Sequence, residues 1–75
     1  MQRINDRRLR VALAAEDLND IDLYKDEGFF FIDSENDDRV EQLSMLRDLT
    51  INVRDFEDLT VPEWVDAIKN IIYNR

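Results

Sequence analysis

Cysteine and histidine are absent from the 75-residue sequence, which also contains only one glycine, Gly28, and one proline, Pro62. Without cysteine no disulfide and no thiolate metal site can form, and without histidine neither a Ser–His nor a Cys–His nucleophile is available. A single glycine excludes the glycine-rich loops that bind phosphates and dinucleotides. We therefore expect that the chain is not an enzyme and that it holds no cofactor.

Carboxylates are the remaining groups that could carry acid–base or metal chemistry, and 18 of the 75 residues are acidic. At this density pairs of carboxylates arise by chance, so no single pair indicates catalysis. The run Asp33-x-Glu35-x-Asp37 places oxygens at alternate positions, as a calcium loop does. However, its sixth position is Asp38 instead of glycine, and its twelfth is Ser44 instead of glutamate. No metal site is expected.

Long hydrophobic runs are also absent. No stretch of about 18 apolar residues, the length needed for a membrane-spanning helix, occurs in the chain. The basic N-terminal segment is not followed by an apolar run, so it does not have the pattern of a signal peptide. We expect a cytoplasmic protein without a membrane partner, and the absence of cysteine fits a reducing compartment.

The charge is mostly of one sign, with 18 acidic against 10 basic residues and a formal net charge of −8. This balance argues against direct binding to nucleic acid, because the phosphate backbone requires a basic surface. It favours a protein partner that carries a basic patch. A second explanation is that the charge only keeps a small protein soluble and monomeric.

The hydrophobic content of 44% is enough for a core, and the length predicts one domain covering the whole chain. Residues 5–18 are predicted to form a helix, with Asn5 or Asp6 as its N-cap. Apolar residues lie on two sides of this helix, Val11 on one side and Leu9 on the other. The pattern leaves open which side is buried.

A β-hairpin is predicted next, because Ile21 and Leu23 alternate with polar residues and Gly28 lies where a turn needs a positive φ. In the second strand, alternate residues point to opposite faces of the sheet. Phe29 and Phe31 point to one face, and Phe30 and Ile32 point to the other. Both faces of this strand are therefore apolar. One face must cover the helices, and the other is either covered by further chain or exposed.

The middle of the chain gives weaker signals. Residues 33–38 are predicted to form a polar loop, and residues 39–47 either a short helix or an irregular loop. The alternating Ile51 and Val53 predict a third strand over residues 50–56, which would extend the hairpin into an antiparallel sheet.

The last helix is predicted over residues 61–73. Thr60 and Glu63 have the spacing of a capping box, in which each side chain accepts a hydrogen bond from the backbone of the other. Leu59 precedes the cap and is expected to pack against Trp64, which we predict to be the largest side chain of the core.

The predicted fold class is therefore α+β. The elements follow one another as a helix, a β-hairpin, a short helix, a third strand and a C-terminal helix. The antiparallel sheet is expected to pack on the helices, because each element has an apolar side that must be buried.

Residues 25–31, KDEGFFF, and residues 58–64, DLTVPEW, form two short motifs that resemble those of small uncharacterised phage and prophage proteins. The first motif resembles the glycine-aromatic strand of that group, and the second resembles the Leu-Thr-x-x-x-Trp start of its closing helix. The sequence departs from that pattern between Ile32 and Ile51, where it is longer and more acidic. The resemblance implies an origin in a phage or other mobile element, and so the cytoplasm of a bacterial host. It implies no activity.

Acidic residues are concentrated in two parts of the chain. Residues 16–41 contain eleven of them and only two cations, Lys25 and Arg39. A face built from the 33–38 loop and a second cluster at 55–58 is the predicted partner-binding site, and its residues are Asp33, Glu35, Asp37, Asp38, Asp55, Glu57 and Asp58. Carboxylates on a rigid surface can imitate phosphates. We therefore expect an inhibitor of a host nucleic-acid-binding or defence enzyme, of the anti-CRISPR or anti-restriction kind.

The alternative is an adaptor or homodimer that uses an exposed aromatic sheet face. The two-faced strand motivates it, because monomeric domains seldom leave a large apolar patch open to solvent. Phe30 is the predicted contact residue of this alternative. The sequence leaves open whether the protein is a monomer or a homodimer.

Overall fold

Four antiparallel strands form one sheet in the order β1-β2-β3-β4 in the computed structural model, which describes residues 2–73. The strands are β1 (Gln2–Ile4), β2 (Ile21–Asp26), β3 (Phe29–Ser34) and β4 (Thr50–Ile51). The helices are α1 (Arg7–Ala15), α2 (Asp37–Ser44) and α3 (Val61–Tyr73), and a short 3-10 helix covers Phe56–Asp58. The predicted α+β class is confirmed, and β1 is a strand that the sequence analysis missed.

The inner face of the sheet packs on the helices. In the β2–β3 register Leu23 lies opposite Ile32 and Lys25 lies opposite Phe30, so the apolar residues of this set share one face. Buried side chains from the sheet and from all three helices meet there in one cluster, made of Leu9, Leu13, Leu18, Ile21, Leu23, Phe30, Ile32, Leu43, Trp64, Val65, Ile68 and Ile72.

The outer face of the sheet carries the other alternate residues. Tyr24 lies opposite Phe31, and Asp22 lies opposite Asp33. Because the buried residues of α1, α2 and α3 all join the cluster on the inner face, none of the helices described within residues 2–73 covers the outer face.

The first helix, α1, is shorter than the predicted span 5–18. The structure also shows which of its two apolar sides is buried. Its N-cap is Asp6, whose carboxylate accepts a hydrogen bond from the backbone N–H of Leu9 at 2.9 Å. Leu9 and Leu13 are each 3% exposed, whereas Val11 is 63% exposed. Contact with the sheet and with α3, which periodicity does not reveal, selects the leucine side.

Asp17 explains why α1 stops early. Its φ of 60° is in the left-handed region, and this conformation lets the backbone N–H of Leu18 donate to the carbonyl of Leu13 at 2.8 Å. A second bond runs from the N–H of Asp17 to the carbonyl of Ala14 at 3.1 Å. The two bonds form a Schellman motif, which ends the helix and turns Leu18 into the core.

Replacing Asp17 with glycine is expected to stabilise the domain by about 0.5–1 kcal/mol, because glycine adopts positive φ without the steric strain of a Cβ. The melting temperature should rise by a few degrees, since about 1 kcal/mol corresponds to roughly 4–8 °C in a domain of this size. Asp17→Ala is the control, because it removes the charge while keeping the Cβ that is strained at positive φ. An equal gain in Asp17→Ala would assign the effect to charge and contradict the backbone explanation.

The predicted 33–38 loop is largely regular structure, so this prediction was wrong. β3 continues through Ser34, and Asn36 is the N-cap of α2, with its Oδ1 accepting from the N–H of Arg39 at 3.1 Å. The two aspartates that follow Asn36 form the first turn of the helix, where carboxylates interact favourably with the helix dipole. The same polar residues that favour a loop also favour a helix start, and here the second preference prevails. The segment 39–47 is helical as far as Ser44.

The predicted third strand, residues 50–56, is shortened to the two residues of β4. The backbone N–H of Val53 donates to the carbonyl of Ile51 at 3.1 Å, and this tight turn directs the chain away from the sheet. Ile51 and Val53 still both pack against the core, so their apolar alternation reflects burial on either side of a turn and not a continuous strand.

The last helix is confirmed over the predicted residues. The Glu63 carboxylate accepts from the N–H of Thr60 at 2.9 Å, and the Thr60 hydroxyl accepts from the N–H of Glu63 at 3.3 Å, which completes the capping box. Trp64 is 0% exposed and is the largest fully buried side chain, as predicted.

Within residues 2–73, none of the helices has the length and hydrophobicity that a transmembrane segment requires.

Candidate protein-binding surface

One end of the sheet gathers much of the negative charge of the segment 16–41. At this end β2 begins, β3 ends and α2 starts, and hydrogen bonds link the three elements. The Oδ2 atom of Asp20 accepts from Arg39 Nε at 3.0 Å and from the Ser34 hydroxyl at 3.0 Å. We call this region the acidic end and define it by Asp17, Asp20, Asp22, Asp33, Glu35, Asp37 and Asp38.

Two arginines pair with two of these seven carboxylates. Arg39 pairs with Asp20 at 3.0 Å, and Arg3 Nη2 pairs with Asp22 Oδ1 at 2.8 Å. Within residues 2–73 the other five have no ion pair, and they are Asp17, Asp33, Glu35, Asp37 and Asp38. All five are exposed, and the last four are the residues predicted from the sequence. The structure therefore brings this half of the predicted site together at one end of the sheet.

Two carboxylates of the acidic end face each other across the β2–β3 ladder. Asp22 lies directly opposite Asp33 on the outer face. Like charges in this position destabilise a sheet, and Arg3 offsets part of the repulsion through its pair with Asp22. Asp33 accepts only a local hydrogen bond, from the N–H of Ser34 at 2.8 Å. A conflict of this kind, left without full compensation, is a common property of functional surfaces.

The Asp20 carboxylate is the part of the acidic end that stabilises the fold. Burial alone would raise the pKa of Asp20, but the hydrogen bonds from Arg39 and Ser34, together with the charge of Arg39, outweigh burial and hold this pKa below its usual 3.8. The hydrogen bond that Arg39 donates to Asp20 is also the main reason why the pKa of Arg39 is raised.

Stability is expected to depend on the protonation of Asp20. Because the pKa of Asp20 is lower in the folded state than in the unfolded state, its contribution is fully present above about pH 4 and is lost as the pH falls through the folded-state pKa. The difference between the free energies of unfolding of the natural protein and of Asp20→Asn should therefore be largest at pH 7 and should shrink as the pH is lowered from 4 to 2.5, as measured by urea titration. An equal difference at both pH values would contradict this role.

The second predicted cluster lies elsewhere. Asp55 Oδ1 is 3.7 Å from Lys25 Nζ, and Lys25 lies opposite Phe30, about 10 Å along the strand from the Asp33 position. The Asp58 carboxylate accepts from the N–H of Asp55 at 3.0 Å and so caps the 3-10 helix. Glu57 is exposed in the same turn. The predicted joint face, built from 33–38 and 55–58, is therefore divided between two ends of the sheet.

Phe30 is not on an exposed face. It is 0% exposed, and its ring lies 4.8 Å from that of Trp64 in an edge-to-face arrangement. The sequence prediction that Phe30 is a contact residue of an open sheet face is wrong, because Phe30 shares the inner face with Leu23 and Ile32. The pairing rule of a two-residue hairpin could have shown this, since residues opposite each other point to the same face.

The outer face instead presents three other aromatic residues, none of which was predicted from the sequence as a contact residue. The rings of Tyr24 and Phe31 are stacked with their centroids 5.3 Å apart, and the ring of Phe29 lies 6.3 Å from that of Phe31. All three side chains are partly exposed. The aromatic group adjoins the Asp22–Asp33 pair, which lies two residues along the same strands.

A polar depression of about 460 Å³ opens at the acidic end, and its lining residues are Asp17, Asn19, Asp20, Asn36, Asp38, Arg39 and Gln42. Within residues 2–73, no group of three or more acidic side chains is arranged to hold a metal ion. The depression offers a partner charged and hydrogen-bonding groups, and its walls contain no large apolar residue.

Comparisons of the chain with protein-family models, with curated proteins and with solved structures give no match, so the interpretation of this surface rests on its geometry and charge.

Proposed function

We propose that this domain is a non-enzymatic protein-binding module that docks its acidic end onto the basic patch of another protein. The observation that carries the proposal is the group of five exposed carboxylates without an ion pair within residues 2–73, gathered where β3 ends and α2 begins. In the most specific form of this proposal, the partner is a nucleic-acid-binding or defence enzyme of a bacterial host. The module, encoded by a phage or other mobile element, would then inhibit it as a nucleic acid mimic.

The physical basis is a fixed arrangement of charge. Asp33 belongs to a strand, and Asp37 and Asp38 belong to the first turn of a capped helix, so little backbone freedom is lost when a partner binds. Aspartate side chains are also short and lose little rotamer entropy. A channel of lysines and arginines that binds phosphates attracts such a surface by the same long-range electrostatic force.

The salt dependence of binding tests the proposal. The domain is immobilised and used to capture proteins from a bacterial lysate at 50 mM and at 500 mM NaCl, and the captured protein is then purified and its affinity measured over the same range. We expect a basic protein whose affinity falls steeply with salt, because exposed charges are screened beyond the Debye length of about 10 Å at 0.1 M. A partner that is not basic, or one whose affinity is the same at both salt concentrations, would contradict the proposal.

A further inference from the structure

The outer face of the sheet combines aromatic rings with carboxylates in ordered rows. The central row contains Tyr24 and Phe31, which stack on each other and lie between Arg3 on β1 and Thr50 on β4. One neighbouring row contains the Asp22–Asp33 pair, about 7 Å along the strands. The row on the other side contains Asp26 opposite Phe29. Carboxylates therefore flank the aromatic rings on both sides.

The charges of this face are unbalanced. Among the residues that the structure describes, Arg3 is the one cation in these three rows, and it pairs with Asp22 at 2.8 Å. Asp33 and Asp26 have no ion pair within residues 2–73, and their carboxylates accept hydrogen bonds only from neighbouring backbone N–H groups. A ligand of this face must therefore bring positive charge, and it must also cover partly exposed aromatic rings.

We propose that the outer face binds arginine side chains of the protein partner, as the part of the interface that adds selectivity for arginine over lysine. This inference rests on the proposed function and specifies the partner's chemistry. The planar guanidinium group can stack on the ring of Tyr24 or Phe31 while its N–H groups reach the carboxylate of Asp33. A lysine ammonium group can pair with the carboxylate, but it is more strongly hydrated and cannot stack as a plane.

A second copy of the domain is a poorer occupant of this face. Face-to-face pairing would bring two surfaces of the same sign together, with the unpaired Asp26 and Asp33 carboxylates of both copies in one interface. Like charges that lose their solvent without a partner oppose association. Charge complementarity therefore favours a cationic segment over self-association.

Two peptides of equal length and charge test the inference, one with four Arg-Gly-Ser repeats and one with four Lys-Gly-Ser repeats. In the natural protein we expect the arginine peptide to bind about two- to fivefold more tightly, the range of a solvent-exposed cation–π contact. NMR titration should show the largest shifts at Tyr24, Phe29 and Phe31, with small shifts on α1. The experiment uses the intact domain and needs no variant, so it does not depend on how any substitution folds.

Matched substitutions assign the preference to the aromatic rings. Phe31→Leu keeps apolar area and removes one of the two stacking rings, so the arginine preference should weaken, since Tyr24 still offers a ring, while affinity for the lysine peptide is kept. Phe31→Tyr keeps the ring and should retain the preference. Val11→Leu, at an exposed site on α1, should change neither affinity.

Each contrary outcome has a distinct meaning. Equal affinity for the two peptides in the natural protein overturns the arginine inference and leaves the proposed function standing. Absence of binding by both peptides at low salt counts against both proposals. Outer-face signals that shift with protein concentration before any peptide is added show a second copy on this face, which also overturns the inference.

Discussion

Replacing Trp64 with alanine is expected to destabilise the domain severely. The Trp64 side chain is 0% exposed, and its ring lies 5.3 Å from that of Phe56 in a stacked arrangement and 4.8 Å from that of Phe30 in an edge-to-face arrangement. Its Nε1 also donates to the Phe56 carbonyl at 2.8 Å. Truncating a buried tryptophan costs about 3–5 kcal/mol, whereas a 75-residue domain has about 4–11 kcal/mol in total. The loss thus amounts to between about a quarter and the whole of the stability.

Circular dichroism with thermal and urea unfolding measures this effect. Trp64→Phe is the informative intermediate, because it keeps an aromatic ring in the core and removes the donor to the Phe56 carbonyl. It should remain folded with a loss of about 1–3 kcal/mol, because the smaller ring fills less of the core and one of the two hydrogen bonds to the Phe56 carbonyl is lost, while the Leu59 N–H still donates to it at 3.5 Å. Val11→Ala, at a residue that is 63% exposed, should stay within about 0.5 kcal/mol of the natural protein. A cooperative melt of Trp64→Ala near the natural temperature would show that the core does not depend on this side chain.

Neutralising the acidic end is expected to have the largest effect on partner binding. The triple variant Asp33→Asn, Glu35→Gln, Asp38→Asn removes three exposed carboxylates and keeps the size of each side chain. Each exposed pair with a basic partner contributes about 0.2–1 kcal/mol, so the loss of three should lower affinity by about 3- to 150-fold. The salt dependence of the remaining binding should also become shallower, because fewer charges contribute to it. Isothermal titration calorimetry at 50 mM and 300 mM NaCl gives both quantities.

A control with the same change in net charge separates position from total charge. Glu27→Gln, Glu57→Gln, Asp66→Asn removes three exposed carboxylates that lie outside the acidic end, and Glu57 comes from the 55–58 cluster. Because these positions are away from the proposed contact, affinity should change by less than about threefold. If the two triple variants weaken binding equally, overall charge and not the acidic end is responsible. Unfolding curves of both variants confirm that each is folded before affinities are compared.

The elements with local signals were predictable because each signal acts within a few residues of the chain. The Thr60 and Glu63 capping box marks the start of α3, and both hydrogen bonds are formed. Gly28 has a φ of 77° in the hairpin turn, which is why a glycine stands there. The polar residues at 33–38 carry two compatible local signals, loop and helix start, so the sequence could not distinguish them.

Features that depend on distant contacts were not predictable in this way. The strand β1 has only three residues, and it exists because Arg3 and Ile4 pair with β2, far along the chain. The burial of Leu9 rather than Val11 on α1 was also not predictable, because both sides of the helix carry apolar residues and contacts with distant elements select between them.

The sequence by itself determined the absence of cysteine and histidine chemistry, the excess of negative charge, and the helix and hairpin that carry their own start and turn signals. Only the tertiary structure decided which carboxylates share a surface and which aromatic residues remain open to solvent. The physical reason is that strand pairing assigns each side chain to a face: it places Phe30 in the core and Phe31 beside Tyr24, and it separates Asp33 from Asp55.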